Sequence, residues 1–227
     1  MSSPRAAQHT TLDYVKARER MVREQIIARG IKDSRVIDAM QNVPRHLFVP
    51  EALLGQAYGD SALPIGEGQT ISQPYMVAYM SEILGFRGHE RVLEIGTGTG
   101  YHTAVLAYLA ERVYSVERIR SLLERARRIL DQIHCRNVIT RLFDGSHGWK
   151  EEAPFDAILV TAAAPSIPRP LLEQLKVGGS MVIPVGKQNT QRLLKIRRGP
   201  KWFLEEDLIE CNFVALVGDH GWAKRAK

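Results

Sequence analysis

The run Val92-Leu93-Glu94-Ile95-Gly96-Thr97-Gly98-Thr99-Gly100 constrains the fold of this chain more than any other feature. A short apolar segment, alternating glycines and then the helix-compatible stretch Tyr101–Ala110 predict a buried strand, a tight turn and a helix. Glycine has no Cβ, so such a turn lets the main chain approach a bound nucleoside closely. A tight turn with no ligand would use the same residues. The next expected strand, Arg112–Val116, is followed directly by Glu117. An acid at the tip of the second strand of a doubly wound sheet can accept hydrogen bonds from two ribose hydroxyls. Taken singly, Glu117 would read as a first-turn acid favoured by the helix dipole. The two features together point to a nucleoside cofactor.

Strand and helix continue to alternate downstream. Arg118–Ile133 carries Ile119, Leu122, Leu123, Ala126, Leu130 and Ile133 on one side and predicts a helix. Further strands are expected at Val138–Phe143, Ala157–Val160, Ser180–Val185, Arg192–Ile196 and Phe213–Val217, with a helix at Pro170–Leu175. The fold class is therefore α/β, a doubly wound and mostly parallel sheet covered on both faces, with short connections making the last strands antiparallel. Extra helices precede it. Val15–Arg29 buries Met21, Val22 and Ile26 and stops at Gly30; Asp33 or Ser34 caps a second helix that buries Val36, Ile37 and Met40 and ends at Pro44. Pro74 opens a third, with Val77, Met80, Ile83 and Leu84 inward and Gly85 as its stop. The stretch 50–73 between them reads as irregular, and loops of that length usually carry function. Residues 1–14 are expected to form a flexible tail and 15–227 a single domain. Within it, 15–85 supplies the N-terminal helices and a substrate loop, and 86–227 the cofactor-binding core and the C-terminal strands.

Composition removes several alternatives. The 227 residues are 44% hydrophobic and 25% charged, near the average for soluble globular proteins. The first ten residues hold no apolar stretch of signal-peptide length and no segment is long enough to span a bilayer, so no membrane partner and a cytoplasmic location are expected. Cys135 and Cys211 lie far apart without metal-ligand spacing, which predicts neither a disulfide framework nor a metal site. The net charge of +6 invites a nucleic-acid reading. However, Arg18, Arg20 and Arg23, and then Arg118, Arg120, Arg125, Arg127 and Arg128, are interleaved with acids; a third group, Lys224, Arg225 and Lys227, ends the chain. Solvated helix faces account for the interleaved groups, and no nucleic acid is expected as a partner. With no long apolar surface helix, a monomer is the expected state.

The turn has the form Glu-x-Gly-x-Gly-x-Gly, which resembles motif I of the class I methyltransferases rather than the G-x-G-x-x-G of dinucleotide enzymes. The third strand tip, Phe143-Asp144-Gly145, stands where that superfamily commonly has an acid near the adenine amino group. A more specific resemblance lies upstream: Gly68-Gln69-Thr70-Ile71-Ser72-Gln73-Pro74-Tyr75 is similar to the signature loop of the protein-L-isoaspartate O-methyltransferases. It extends through Asp144-Gly145-Ser146-His147-Gly148-Trp149, Pro154–Ala163 and Leu175–Gly179, and covers roughly Met21 to Val217. The resemblance implies a Rossmann-like methyltransferase and methyl transfer from S-adenosyl-L-methionine, leaving S-adenosyl-L-homocysteine. The implied acceptor is the free α-carboxyl of L-isoaspartyl residues in peptides and damaged proteins, whose ester then closes to a succinimide. It also implies a catalytic Ser72 and cofactor contacts from Thr70, Ile71, Glu94, Gly96, Gly98, Glu117, Asp144 and Gly145.

The chemistry agrees with this assignment. A carboxylate with an ordinary pKa of about 3.3–3.9 is ionised at pH 7 and needs no general base. What remains is alignment of the reacting atoms and exclusion of water, to which a Ser72 hydroxyl near the start of a helix can contribute one hydrogen bond. Serine at that position could equally be a cap. The chain departs from the family at Phe143, where glycine is common, at Ala215, where proline is common, and in its longer N-terminal segment. His102 could face the cofactor or solvent, and Trp149 is expected to pack beneath the loop. Two other readings use the same fold: a class I methyltransferase acting on a small molecule or RNA, and a non-catalytic cofactor- or nucleic-acid-binding module. The sequence Thr161-Ala162-Ala163-Ala164-Pro165 after the fourth strand lacks the motif of an adenine amino-methyltransferase, and the intact Thr70-Ile71-Ser72 loop argues against lost chemistry.

Overall fold

A computed structural model of the chain describes residues 11–187 and 190–223. The first helix, α1 (Thr11–Met21), runs on through a π-turn (Val22–Ile26) and a 3-10 turn (Ile27–Arg29) before Gly30, at φ 96°, ends it. It starts before the expected Val15 boundary. Tyr14 stacks on His46 with ring centroids 4.1 Å apart and planes 5° from parallel, which ties this turn to the body of the protein. Residues 1–10 of the expected tail, and the cluster Lys224, Arg225 and Lys227, lie outside the described residues. The second helix, α2 (Ser34–Asn42), is capped as anticipated: the Asp33 carboxylate accepts from Arg35 N and Val36 N, while Val36, Ala39 and Met40 are buried.

Residues 50–73 are more regular than expected. A 3-10 segment (Glu51–Gln56) leads into an antiparallel hairpin of β1 (Leu63–Gly66) and β2 (Gln69–Ile71). Leu63 and Ile65 are buried while Pro64 and Gly66 are exposed, the period-two signature of a strand. Glu67 at φ 55° and Gly68 at φ 66° turn the chain. With only a few residues per strand the alternation is easily lost among glycines and prolines. The third helix, α3 (Pro74–Leu84), follows, with proline at its start and Gly85 in the left-handed region at its end.

The remaining strands form one seven-stranded sheet. They are β3 (Arg91–Ile95), β4 (Arg112–Glu117), β5 (Val138–Leu142), β6 (Phe155–Val160), β7 (Leu175–Lys187), β8 (Thr190–Arg198) and β9 (Phe203–Cys211), in the order β5-β4-β3-β6-β7-β8-β9. The first five pair in parallel, β8 adds antiparallel to β7, and β9 adds antiparallel to β8. Helices α4 (Tyr101–Leu109), α5 (Arg120–Gln132) and α6 (Arg169–Gln174) connect them. Alternate strand residues serve opposite layers. Val92, Val113, Ala157 and Val182 pack with Met21, Val36, Val77, Val105 and Leu122 of the helices. Leu93, Tyr114, Ile158 and Met181 form a second cluster with Leu171 of α6.

One expected strand is corrected. Residues 213–217 make only isolated bridges, Ala215 to Ala163 and Val217 to Trp222, and the final strand is β9, upstream of them. As the edge strand, β9 has exposed acids at Glu205, Glu206, Asp207 and Glu210, and Arg192 of β8 binds Asp207 at 2.7 Å. Charged edge strands resist pairing with other chains but carry no apolar alternation for a sequence reader to detect. Val214-Ala215-Leu216 mimics that alternation without the strand.

Candidate active site

Strand order reverses at β3, whose neighbours are β4 and β6, and this is where an open α/β sheet forms a crevice at the carboxyl ends of its strands. The glycine turn occupies that edge. Gly96 at φ 100° and Gly98 at φ 54° adopt backbone conformations that other residues reach only with strain. Gly96 N donates to Val116 O at 2.8 Å. Thr161, just past the tip of β6, donates through Oγ1 towards the carbonyls of Ile95 and Gly96 at 3.0 and 2.9 Å, and a Cβ on Gly96 would collide with that hydroxyl. The turn is therefore pinned between two neighbouring strands.

Glu117 closes the other side. Its Oε2 accepts from Gly98 N at 2.9 Å and its Oε1 from Ile119 N at 2.8 Å, which fixes the carboxylate at the cleft wall with lone pairs to spare. The cleft is bounded by 96–99 of the turn, by Val116, Glu117 and Arg118, by Gly145, and by Thr161 and Ala162. Residues 69–72 and Val214, Ala215, Leu216 and Val217 face these across the opening. Of the residues predicted from sequence, Thr70, Ile71, Ser72, Gly96, Gly98, Glu117 and Gly145 thus meet in one place. Thr161 is an addition that the sequence did not suggest, and its position after a strand adjoining the crevice is the signal that could have found it; the segment around Ala215, where the family's proline is missing, also reaches the cleft wall.

Two predicted contacts stand behind the wall. Glu94 is fully buried beneath the turn, where its Oε2 accepts from Thr103 Oγ1 and Ser115 Oγ, both at 2.5 Å. Its Oε1 has no partner among the described residues. Burial pushes its carboxyl up to about 8, against the opposing effect of the two hydroxyls. The Asp144 carboxylate receives Ser146 N and Oγ at 2.9 and 2.7 Å and Asp219 N at 2.8 Å. Burial would raise its pKa, but these hydrogen bonds hold it below the usual carboxylate range. Ser146 Oγ also accepts from His220 N at 3.0 Å, so the 218–220 turn is tied to the third strand tip. Asp144, His147 and Asp219 lie close together, and His147 Nε2 is 2.9 Å from Asp219 Oδ2.

Ser72 lies between β2 and α3. The N-cap of α3 is Gln73 rather than Ser72, and the Ser72 hydroxyl makes no hydrogen bond among the described residues. Gln73 instead donates to Asp60 Oδ1 at 2.7 Å. A second cleft adjoins the first, bordered by Asp60, Gln73, Met76, Glu210, Asn212 and Phe213, and Thr70, Ser72, Thr161 and Val214 face both. The hydroxyl is therefore placed where the two spaces meet. His102, at the start of α4, is 7% exposed and lines the first cleft. Ser81 Oγ donates to Val77 O at 2.8 Å, which leaves His102 Nε2–H to donate to Ser81 Oγ at 3.0 Å. Burial pushes the ring down to about 3, so it is neutral. Trp149 meets Tyr114 edge-on at 5.7 Å, in the packing role expected for it.

The family profile described as Protein-L-isoaspartate(D-aspartate) O-methyltransferase (PCMT) matches residues 16–221. A protein of Syntrophotalea carbinolica named Protein-L-isoaspartate O-methyltransferase is 58% identical over 212 residues, which are 93% of this chain and 98% of that protein. Protein-L-isoaspartate O-methyltransferase 2 of Geotalea uraniireducens is 60% identical over 208 residues, 91% of this chain and 96% of its own. Among solved structures, a protein-L-isoaspartate O-methyltransferase superposes with a TM-score of 0.82 at 30% identity, over 90% of this chain and 67% of that one. A Plasmodium falciparum beta-aspartate methyltransferase in complex with S-adenosyl-L-homocysteine gives 0.75 at 25% identity, over 90% and 98%.

Proposed function

The chain belongs to the protein-L-isoaspartate(D-aspartate) O-methyltransferase family, and on that premise we propose that it transfers the methyl group of S-adenosyl-L-methionine to the free α-carboxyl of L-isoaspartyl residues. The product is an ester that initiates repair of deamidated or isomerised Asn and Asp through a succinimide. The observation that carries this reading is the Ser72 hydroxyl, uncommitted to a cap, at the junction of the cleft beside the glycine turn and a second, open one.

The cleft suits the cofactor. The Glu117 carboxylate offers acceptors for the ribose hydroxyls, and a Cβ at Gly98 would meet nothing nearer than Ile65 Cδ1 at 4.0 Å, so the main chain there presents open space. Thr70 and Ile71 cover it from the hairpin, and Gly145 borders the adenine end with Asp144 holding that strand tip in shape. Glu94 supports the turn from below. When bound, the cofactor supplies a methyl carbon on a sulfonium, which departs as a neutral thioether while the substrate oxygen bonds to that carbon. The acceptor carboxylate is already ionised, so no protein base is required. Ser72 can donate one hydrogen bond to the carboxylate oxygen that does not react, and the first turn of α3 adds the positive end of a helix dipole. The apolar side chains of Ile71, Val77 and Val214 exclude water from the ion.

We further infer that the chain acts as a monomer and that 15–85 and 86–227 act as one folding unit. No nucleic acid is assigned a place in this scheme. No helix among the described residues is long and apolar enough to cross a membrane, and action in the cytoplasm is the setting we propose. Ser72→Ala removes a hydrogen bond to a charged group, a loss of roughly 1.5–3 kcal/mol, or about 10–100-fold in turnover of an isoaspartyl peptide. Steady-state kinetics together with calorimetric titration of S-adenosyl-L-homocysteine check this: turnover should fall while product affinity stays within about twofold. Full turnover by the variant would remove Ser72 from the mechanism.

A further inference from the structure

The cleft beside the glycine turn contains one polar side chain with no part in holding ribose, adenine or the acceptor carboxylate. His102, the second residue of α4, is 7% exposed, and the open space that it borders is this cleft. Its ring is tied at one end only. Nε2–H donates to Ser81 Oγ at 3.0 Å, because the Ser81 hydroxyl gives its own proton to Val77 O at 2.8 Å. This fixes the tautomer and leaves Nδ1 as a bare acceptor. Nδ1 makes no hydrogen bond among the described residues, whose enclosed and unpartnered side-chain atoms belong instead to Arg18, Gln25, Arg45 and Glu94. The lone pair is therefore open to the cleft rather than sealed in protein. Burial pushes the ring down to about 3, so near neutral pH it accepts hydrogen bonds and carries no charge.

The place of His102 decides which part of the cofactor it meets. Gly145 lies against Ile95, which shares a hydrophobic cluster with Leu216 and with Leu171 of α6, on one face of the sheet. Val77 of α3 and Tyr101, the residue before His102, belong to the cluster on the other face. A cofactor with its ribose at Glu117 and its adenine at Gly145 extends its amino-acid chain towards that second face. Other side-chain acceptors there are committed: Thr97 Oγ1 is hydrogen-bonded to Ser115 Oγ at 2.6 Å, and Glu94 is enclosed beneath the turn. Resting on the methyltransferase reading above, we propose that His102 is a cofactor-binding residue whose Nδ1 accepts a hydrogen bond from the α-ammonium group of S-adenosyl-L-methionine. A lone pair at this position attracts the ammonium and repels the carboxylate, which sets which way round the amino-acid end lies. Because the ring is shielded from water, a charge-assisted hydrogen bond here is stronger than an exposed one.

The experiment is calorimetric titration of S-adenosyl-L-homocysteine, its deamino analogue and its decarboxy analogue into wild type, His102→Leu and His102→Gln. Wild type should bind S-adenosyl-L-homocysteine about tenfold or more tighter than the deamino analogue. His102→Leu should weaken S-adenosyl-L-homocysteine and the decarboxy analogue by about that same factor while leaving the deamino analogue within about twofold. His102→Gln, whose amide oxygen can stand in for Nδ1, should recover most of the loss. Equal affinity of wild type for S-adenosyl-L-homocysteine and the deamino analogue overturns the proposal without recourse to any variant. A loss in His102→Leu shared by all three ligands assigns the ring to packing, and a loss confined to the two ligands that keep the carboxylate reverses its tautomer; either result overturns the ammonium contact. No methyl acceptor is present, so these outcomes leave the isoaspartyl reading standing, whereas folded wild type that binds none of the three ligands overturns both.

Discussion

Glu94 illustrates how a residue can be legible in type while the direction of its side chain is not. Its acid at the end of a strand before the glycine turn is evident from sequence, but side chains alternate along a strand. Ile95 lines the cleft, whereas Glu94 turns into the layer beneath, towards Thr103 and Ser115. Sequence position reports the strand tip and not the direction of the side chain. Ser72, Gly96, Gly98 and Glu117 are easier to place, because a turn or a strand end exposes whatever stands there to the crevice. The environment of Glu94 has a measurable consequence. In the folded chain the carboxyl keeps its proton until about pH 8, against an ordinary value of 4.5. Between those values the folded state binds more protons than the unfolded state, so stability is greatest below about 4.5 and declines as pH rises towards 8. Glu94→Gln, which keeps an acceptor for both hydroxyls, should remove this slope. Urea midpoints of the two proteins should therefore converge or cross as pH rises through that window; parallel curves would mean that Glu94 is ionised when folded.

At the scale of elements, the parallel strands and the long helices are readable because burial on both faces leaves continuous apolar runs and amphipathic helices leave a stripe. The β1–β2 hairpin is not, since its strands are too short for alternation to stand out. The last strand is misplaced from sequence because β9 is an edge strand whose neighbours are solvent and the basic strand β8. The segment that resembles it serves another purpose, since 214–217 walls the cleft and the turn after it is fastened by Asp144 and Ser146. Asp144→Ala would free the amides of Ser146 and Asp219. Amide hydrogen exchange of residues 217–222 should accelerate by about tenfold or more, the equivalent of one charge-assisted hydrogen bond, and affinity for S-adenosyl-L-homocysteine should fall with it. Unchanged exchange would show that Trp222, whose Nε1 donates to Ala163 O at 3.1 Å, holds the turn alone.

For the molecule as a whole, the N-terminal helices and the hairpin share one hydrophobic cluster with α4, α5 and one face of the sheet. Residues 69–72 are thereby presented to the glycine turn from across the crevice, and the proposed active site is the seam between the added N-terminal layer and the α/β core. From sequence, the glycine turn marks the proposed cofactor side of that seam and the Thr70-Ile71-Ser72 loop its proposed acceptor side; the second cleft becomes visible only when Asp60, Met76 and Phe213, remote in sequence, are brought together. The central claim is that this seam reads an isoaspartyl linkage. The most direct measurement is transfer of a labelled methyl group to two synthetic peptides that differ only in one isoaspartyl or one normal aspartyl bond. Base-labile label is expected in the isoaspartyl peptide, with kcat/KM higher by about a hundredfold or more than for its partner. Equal labelling of both peptides, or of neither by protein that binds S-adenosyl-L-homocysteine, would contradict it.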